Sequence, residues 1–309
     1  MRFAHSSDVC GTPRLGMRED VIMRVLDSHL HLWDPFRLDY DWLEGPLANR
    51  FTADELAQAP AGAETSAVFV QAECVQAQFL DEVRWVSETA ADTGVIGIVA
   101  GARLDRGAAT IEHLDALAET ALVVGVRHLL QGEALGTATT PAFLAGAEAL
   151  AARGLRFDAC VRTPQLPDVS ALAAAVPDLA IVLDHLGKPV VGTPSRPQAP
   201  DAAWVRGIRE LAAHPNVSVK LSGLPAESGG DWDGAQVSPF LDAAAEAFGP
   251  DRLLWGSDWP VSAVAAGDAG YRPERRELWA RTVEDWAAHR GLDVDDLFWG
   301  NAARFYGLT

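Results

Sequence analysis

His29 and His31 stand one residue apart near the end of an apolar run that begins at Val25 and stops at Pro35. In an extended strand alternate side chains share a face. Val25, Asp27, His29 and His31 are therefore expected to point one way, and Leu26, Ser28, Leu30 and Leu32 the other. Two imidazoles about 7 Å apart along a strand can aim at one ion, and neutral imidazole is the commonest protein ligand for zinc-like metals. A His-x-His pair also arises by chance, so the metal reading depends on ligands supplied from elsewhere.

Other strand-like runs end in suitable groups. One closes on Asp184-His185, where His185 is expected to share the inward face of Ile181 and Leu183 while Asp184 faces away or begins the loop. Another closes on Gly256-Ser-Asp258, with Leu254, Gly256 and Asp258 on one face and the glycine leaving room for something bound above it. Lys220 shares a polar face with Ser218 and Ser222 opposite an apolar one. Glu73, Arg127, His128 and Arg162 end further runs, and only the third run lacks such a group.

The elements that must position these groups repeat. Eight apolar runs of strand length begin near residues 25, 67, 95, 123, 155, 179, 217 and 253. Between most of them lie alanine-rich segments with helical periodicity: 79–93, 110–121, 141–153, 169–176, 204–213, 238–248 and 275–289. Eightfold alternation implies parallel strands and an α/β fold, a single-domain (β/α)8 TIM barrel over 25–309 whose active site lies at the C-terminal ends of the strands. No Gly-x-Gly-x-x-Gly follows a strand, which opposes a dinucleotide fold. Residues 1–24 read as a loose extension, and a short C-terminal helix near 297–306 as an appendage.

With 49% hydrophobic and 22% charged residues among 309, the chain can bury a large core. Its formal charge of −18 opposes nucleic-acid or anionic-membrane binding, which leaves small molecules as partners; oligomeric state is not legible. No apolar stretch approaches the roughly eighteen residues of a spanning helix, and no signal-peptide run opens the chain, so a cytoplasmic protein is expected. Cys10, Cys74 and Cys160 form no paired framework and read as reduced thiols.

Several stretches together resemble the amidohydrolase superfamily: Asp27-Ser-His-Leu-His31, Val182-Leu-Asp-His-Leu-Gly-Lys-Pro189, Val219-Lys-Leu-Ser-Gly223, Leu254-Trp-Gly-Ser-Asp-Trp-Pro260 and Asn301-Ala-Ala-Arg-Phe-Tyr306. The likeness is to its second group, the lactonase-type TIM-barrel hydrolases that include L-fuconolactonase and L-rhamnonolactonase-like enzymes. Gly125-Val-Arg-His-Leu-Leu-Gln131 and the segment from Phe157 to Pro167 carry it too. The resemblance implies that His29, His31, His185 and Asp258 surround one divalent metal, zinc being expected, or take over its work in members that need none. It also implies that Asp258 is the general base toward water. Two-metal members add a lysine or glutamate on strand four and a histidine on strand five. This chain offers Arg127 or His128 and Arg162 there, so a single metal is expected.

Three functions follow from this. The first is a lactonase acting on a sugar lactone or a carboxylated lactone, with Asp258 and His185 catalytic and Glu73, Arg127, His128, Arg162 and Lys220 binding substrate. Trp33 and Trp259, with Trp42, would stack on its ring or merely pack loops. The second is a metal-dependent decarboxylase of an aromatic acid, opposed by Arg162 where a histidine would favour it. The third is a ligand-binding barrel without turnover.

Overall fold

Parallel neighbours cannot be joined by tight hairpins, so each strand must hand over to a crossover before the next one is laid down. The computed structural model describes residues 24–62, 64–264 and 270–308. The expected extension, apart from Arg24, and Cys10 lie outside the described residues. Eight parallel strands form one sheet: β1 (Arg24–Leu30), β2 (Glu64–Val70), β3 (Val95–Gly101), β4 (Val123–Arg127), β5 (Arg156–Ala159), β6 (Ile181–Leu183), β9 (Val217–Leu221) and β10 (Leu253–Trp255). The two-residue strands β7 (Gly192–Thr193) and β8 (Arg196–Pro197) make a small antiparallel ribbon between β6 and β9. Beyond β10, Asp258 N–H donates to the His29 carbonyl and His31 N–H to the Trp259 carbonyl, both over 2.8 Å. These bonds join the last strand to the first and close the TIM barrel.

The principal helices are α2 (Phe79–Thr93), α3 (Ala108–Ala118), α4 (Pro141–Ala152), α5 (Leu166–Ala175), α6 (Ala202–Ala212), α8 (Gly234–Phe248) and α9 (Glu274–Arg290). Short α1 (Ala53–Leu56) and α7 (Leu224–Glu227) lie in loops, and α10 (Asn301–Tyr306) ends the described chain. Their ends carry local signals. Asp201 accepts from the N–H groups of Ala203 and Trp204 at the start of α6, Asp233 accepts from Gln236 N–H at the start of α8, and Gly94 ends α2 with φ 70°. Helix α6 then buries Trp204, Ile208 and Leu211, one face at helical spacing, each contributing roughly 1.5–3 kcal/mol of burial.

Alternation sorts the strand residues into two cores. Val25, Phe69, Ile98, Phe157, Leu183, Val219 and Trp255 belong to the large cluster shared with the helices, whereas Leu26, Val68, Val70, Val99, Val182 and Leu254 form a separate one inside the barrel. Ala302 and Tyr306 of α10 join that inner cluster, and Leu308 approaches Gly97 near the start of β3. The C-terminal helix is therefore no appendage. It plugs the N-terminal end of the barrel, where an open end would otherwise expose the inner apolar residues.

The simple alternation expected for the first strand fails. Register with β2 runs in step from Arg24–Glu64 to Asp27–Ala67, then slips by one residue before Leu30–Phe69. That extra residue turns His29 and His31 inward, while Val25 and Asp27 stay on the helix side. There Asp27 Oδ2 accepts from Arg276 of α9 over 2.8 Å, and Asp27 Oδ1 from the N–H of Ser257 over 2.8 Å, tying β1 to the turn after β10.

Candidate metal and catalytic centre

The inward histidines meet the other rim groups above the inner core. His29 Nε2 lies 3.2 Å from His31 Nε2. Asp258 Oδ1 is 3.9 Å from His29 Nε2, 3.6 Å from His31 Nε2 and 3.6 Å from His185 Nε2. Four-coordinate zinc with bonds of about 2.0–2.1 Å sets its ligand atoms roughly 3.3 Å apart, so His29, His31 and Asp258 have the spacing and the chemistry to hold such an ion, with His185 beside it. A second grouping, His29, Asp184 and His185, overlaps the first at His29.

Backbone strain gathers here. The non-glycine residues of positive φ among those described are Glu73, His185, Leu186, Lys188 and Asp258, all just after β2, β6 or β10. At β6 this overturns the expected parity: Val182 is inward, Asp184 follows it inward, and the φ of 53° at His185 swings that ring to the same side. Asp184 is thus a site residue, fully buried against His29 and Lys220, and alternation alone placed it elsewhere. Two glycines make room for the rings. A Cβ on Gly256 would stand 2.8 Å from His29 Cβ, and one on Gly223 2.6 Å from His185 Cβ.

Each ring is held by a partner. His31 Nδ1 lies 2.7 Å from the Val70 carbonyl, and His185 Nδ1 2.9 Å from Ser222 Oγ. Ser262 Oγ donates to Asp258 Oδ2 over 2.8 Å. Burial pulls His185 down to about 4 and holds His29 well below its ordinary value, Lys220 adding to the effect at His29, so both rings are neutral at pH 7, the form that ligates. Burial opposes ionisation of Asp258, but the imidazoles of His185, His31 and His29 outweigh it and hold the carboxyl well below the usual range.

A cavity of about 600 Å³ opens above these groups. Glu73, Arg127 and His128 line it, as does Arg103 after β3, the strand expected to contribute nothing. Glu73 belongs to neither metal grouping and bonds to Gln71 Nε2. Arg127 donates to the Gln71 carbonyl and faces Asp184, while His128 is pulled down to about 4 by burial and by Arg103. Four expected contacts lie elsewhere. Lys220 is fully buried beneath the histidines, ion-paired to Asp158 and Asp184. Arg162 is exposed and outside the cavity wall, because β5 ends at Ala159 and the chain turns away.

Trp33 and Trp259 do not line the cavity either. Both are fully buried in an aromatic cluster with Phe51 and Tyr271, their indole N–H groups donating to the Asn49 carbonyl and to Tyr271 Oη. They pack the loops that shape the mouth; of the three tryptophans only Trp42 reaches the wall. Sequence reasoning passed over Asp158 and Tyr306, which bond to each other below the site, and Glu227 of α7 on the wall. A polar residue on the inward face of β5 was the available signal for Asp158.

Comparison with known proteins places the chain in a family. The amidohydrolase family profile matches residues 26–308, almost the whole described barrel. The chain belongs to the amidohydrolase family. Within it, this amidohydrolase is 36% identical over 298 residues to an L-fucono-1,5-lactonase of Burkholderia multivorans, covering 92% of this chain and 96% of that one. The crystal structure of an amidohydrolase from Burkholderia multivorans with bound zinc superposes with a TM-score of 0.75 at 33% identity, covering 92% of this chain and 99% of that one. A 2,6-dihydroxybenzoate decarboxylase from Rhizobium superposes with a TM-score of 0.59 at 15% identity, over 93% and 98% of the two chains, which extends the likeness of fold alone.

Proposed function

We propose that this amidohydrolase is a lactonase that opens a neutral, polyhydroxylated lactone of the aldonic acid type, with one divalent metal, zinc, held by His29, His31 and Asp258. The observation that carries the substrate class is the charge of the cavity wall. Among the described residues it presents four carboxylates, Asp41, Glu73, Glu227 and Asp258, against three cations, Arg103, Arg127 and Lys188. Those cations are engaged: Arg103 by Asp105 and Glu133, Arg127 by the Gln71 carbonyl and Asp184, Lys188 by Gln131. The protein groups of the wall thus add no surplus positive charge to that of the ion itself, which suits hydroxyl groups better than added carboxylates or sulfonates. Lactonase activity in a relative that aligns over nearly its whole length supports the same reaction.

A bound divalent ion would polarise the ring carbonyl and lower the pKa of a bound water. The chain supplies the rest. Asp258 Oδ1 is ionised and takes the proton as water adds, Ser262 holds the other oxygen in place, and His185 Nε2, 3.6 Å from Asp258 Oδ1, would relay that proton to the departing ring oxygen. A pH-indicator screen of aldonolactones beside carboxylated lactones tests the reading. Turnover of an aldonolactone with about one proton released per ring opened is expected. Carbon dioxide from an aromatic acid, with no proton release across the lactones, would replace it with the lyase reading.

A further inference from the structure

We infer that Lys220 is a positioning residue that holds His29 in its Nε2-protonated tautomer and so keeps the affinity of the site for its metal low. An ammonium can only donate, and Lys220 Nζ lies 3.0 Å from His29 Nδ1. The neutral ring must then offer a lone pair at Nδ1 and carry its proton on Nε2, the nitrogen that faces His31 and Asp258. The opposite end of the chain of contacts requires the same assignment. His31 Nδ1 faces the Val70 carbonyl over 2.7 Å and must donate to it. That leaves a lone pair on His31 Nε2, 3.2 Å from His29 Nε2–H.

A ring that ligates through Nε2 cannot keep its proton there. The proton has to move to Nδ1, where it meets the ammonium, and the bond from Lys220 is lost. Asp184 Oδ1, 3.2 Å from His29 Nδ1, is the natural acceptor for an Nδ1–H group; it accepts no hydrogen bond here, and the Lys220 ammonium stands beside it as an ion-pair partner at 3.1 Å. Removing the lysine would free Asp184 to complete the carboxylate–histidine pairing that supports a metal ligand, an effect of about ten- to a hundredfold in affinity.

The inference rests on the metal-site reading of His29, His31 and Asp258 but not on the lactone, so its test needs no substrate. Lys220→Met alone leaves the Asp158 carboxylate buried without its cation, so Lys220→Met with Asp158→Asn is compared with it. Long-range proton–nitrogen spectra of metal-free protein labelled at histidine nitrogen, with His29→Asn for assignment, should show Nε2–H for His29 in the parent and Nδ1–H in the double variant. Zinc alone, titrated against a chromophoric chelator, should bind the double variant about ten- to a hundredfold more tightly. An Nδ1–H ring in the parent, or equal zinc affinity in parent and folded double variant, would overturn the inference.

Discussion

Ser262 donates its hydroxyl proton to Asp258 Oδ2 over 2.8 Å, which leaves Oδ1 as the carboxylate oxygen turned toward His29, His31 and His185. The serine thus selects which oxygen meets water. Asp258→Asn removes the proton acceptor while keeping the shape, and asparagine tolerates the φ of 56° found at this position better than most residues. Turnover should fall on the order of a hundredfold or more, with the thermal midpoint nearly unchanged. A rate near that of the parent would remove Asp258 from the role of base.

Metal binding depends on the two inward rings together. His29→Ala with His31→Ala deletes both nitrogen ligands of the grouping and leaves Asp258 with His185. Zinc bound at saturating free zinc should drop from about one equivalent in the parent to near zero. Chelation should silence the parent and added zinc restore it. A chelated, zinc-free parent that keeps its full rate would show that Asp258 and the histidines act without an ion.

Glu82 offers a pH test of stability away from the reaction. This α2 residue is fully buried, its Oε1 accepting from Ala72 N–H over 3.0 Å beneath the cavity wall. Burial raises its carboxyl to about 8, against the opposing pull of Ala72 N–H and Arg127. Because the folded value lies above the ordinary 4.5, the protonated form favours the fold. The associated stability is complete below pH 4.5 and is lost as pH rises through about 8. Glu82→Gln keeps the acceptor for Ala72 and removes the titration. In urea unfolding, the variant should gain on the parent by a few kcal/mol between pH 5 and pH 9. A difference between the two proteins that does not change with pH would count against a buried, proton-holding Glu82.

The number and order of the eight barrel strands were legible in the sequence, which did not show the β7–β8 ribbon, because eight apolar runs separated by helical segments admit few closed arrangements, and the TIM barrel is one of them. The sequence also placed His29, His31, His185 and Asp258 at strand ends, where side-chain chemistry alone marks them. Tertiary structure decided which way they face. The slip between Asp27 and Leu30 and the left-handed turn at His185 are departures from local periodicity, set by register with a neighbouring strand that a one-dimensional pattern does not contain. Barrel closure likewise decided the partners. Lys220 meets residues from β1, β5 and the end of β6 only once the sheet has curled shut, and that puts its ammonium under the metal ligands instead of in the cavity. Trp33 and Trp259 could either pack or stack by residue type, and the loop fold around Phe51 and Tyr271 buried them.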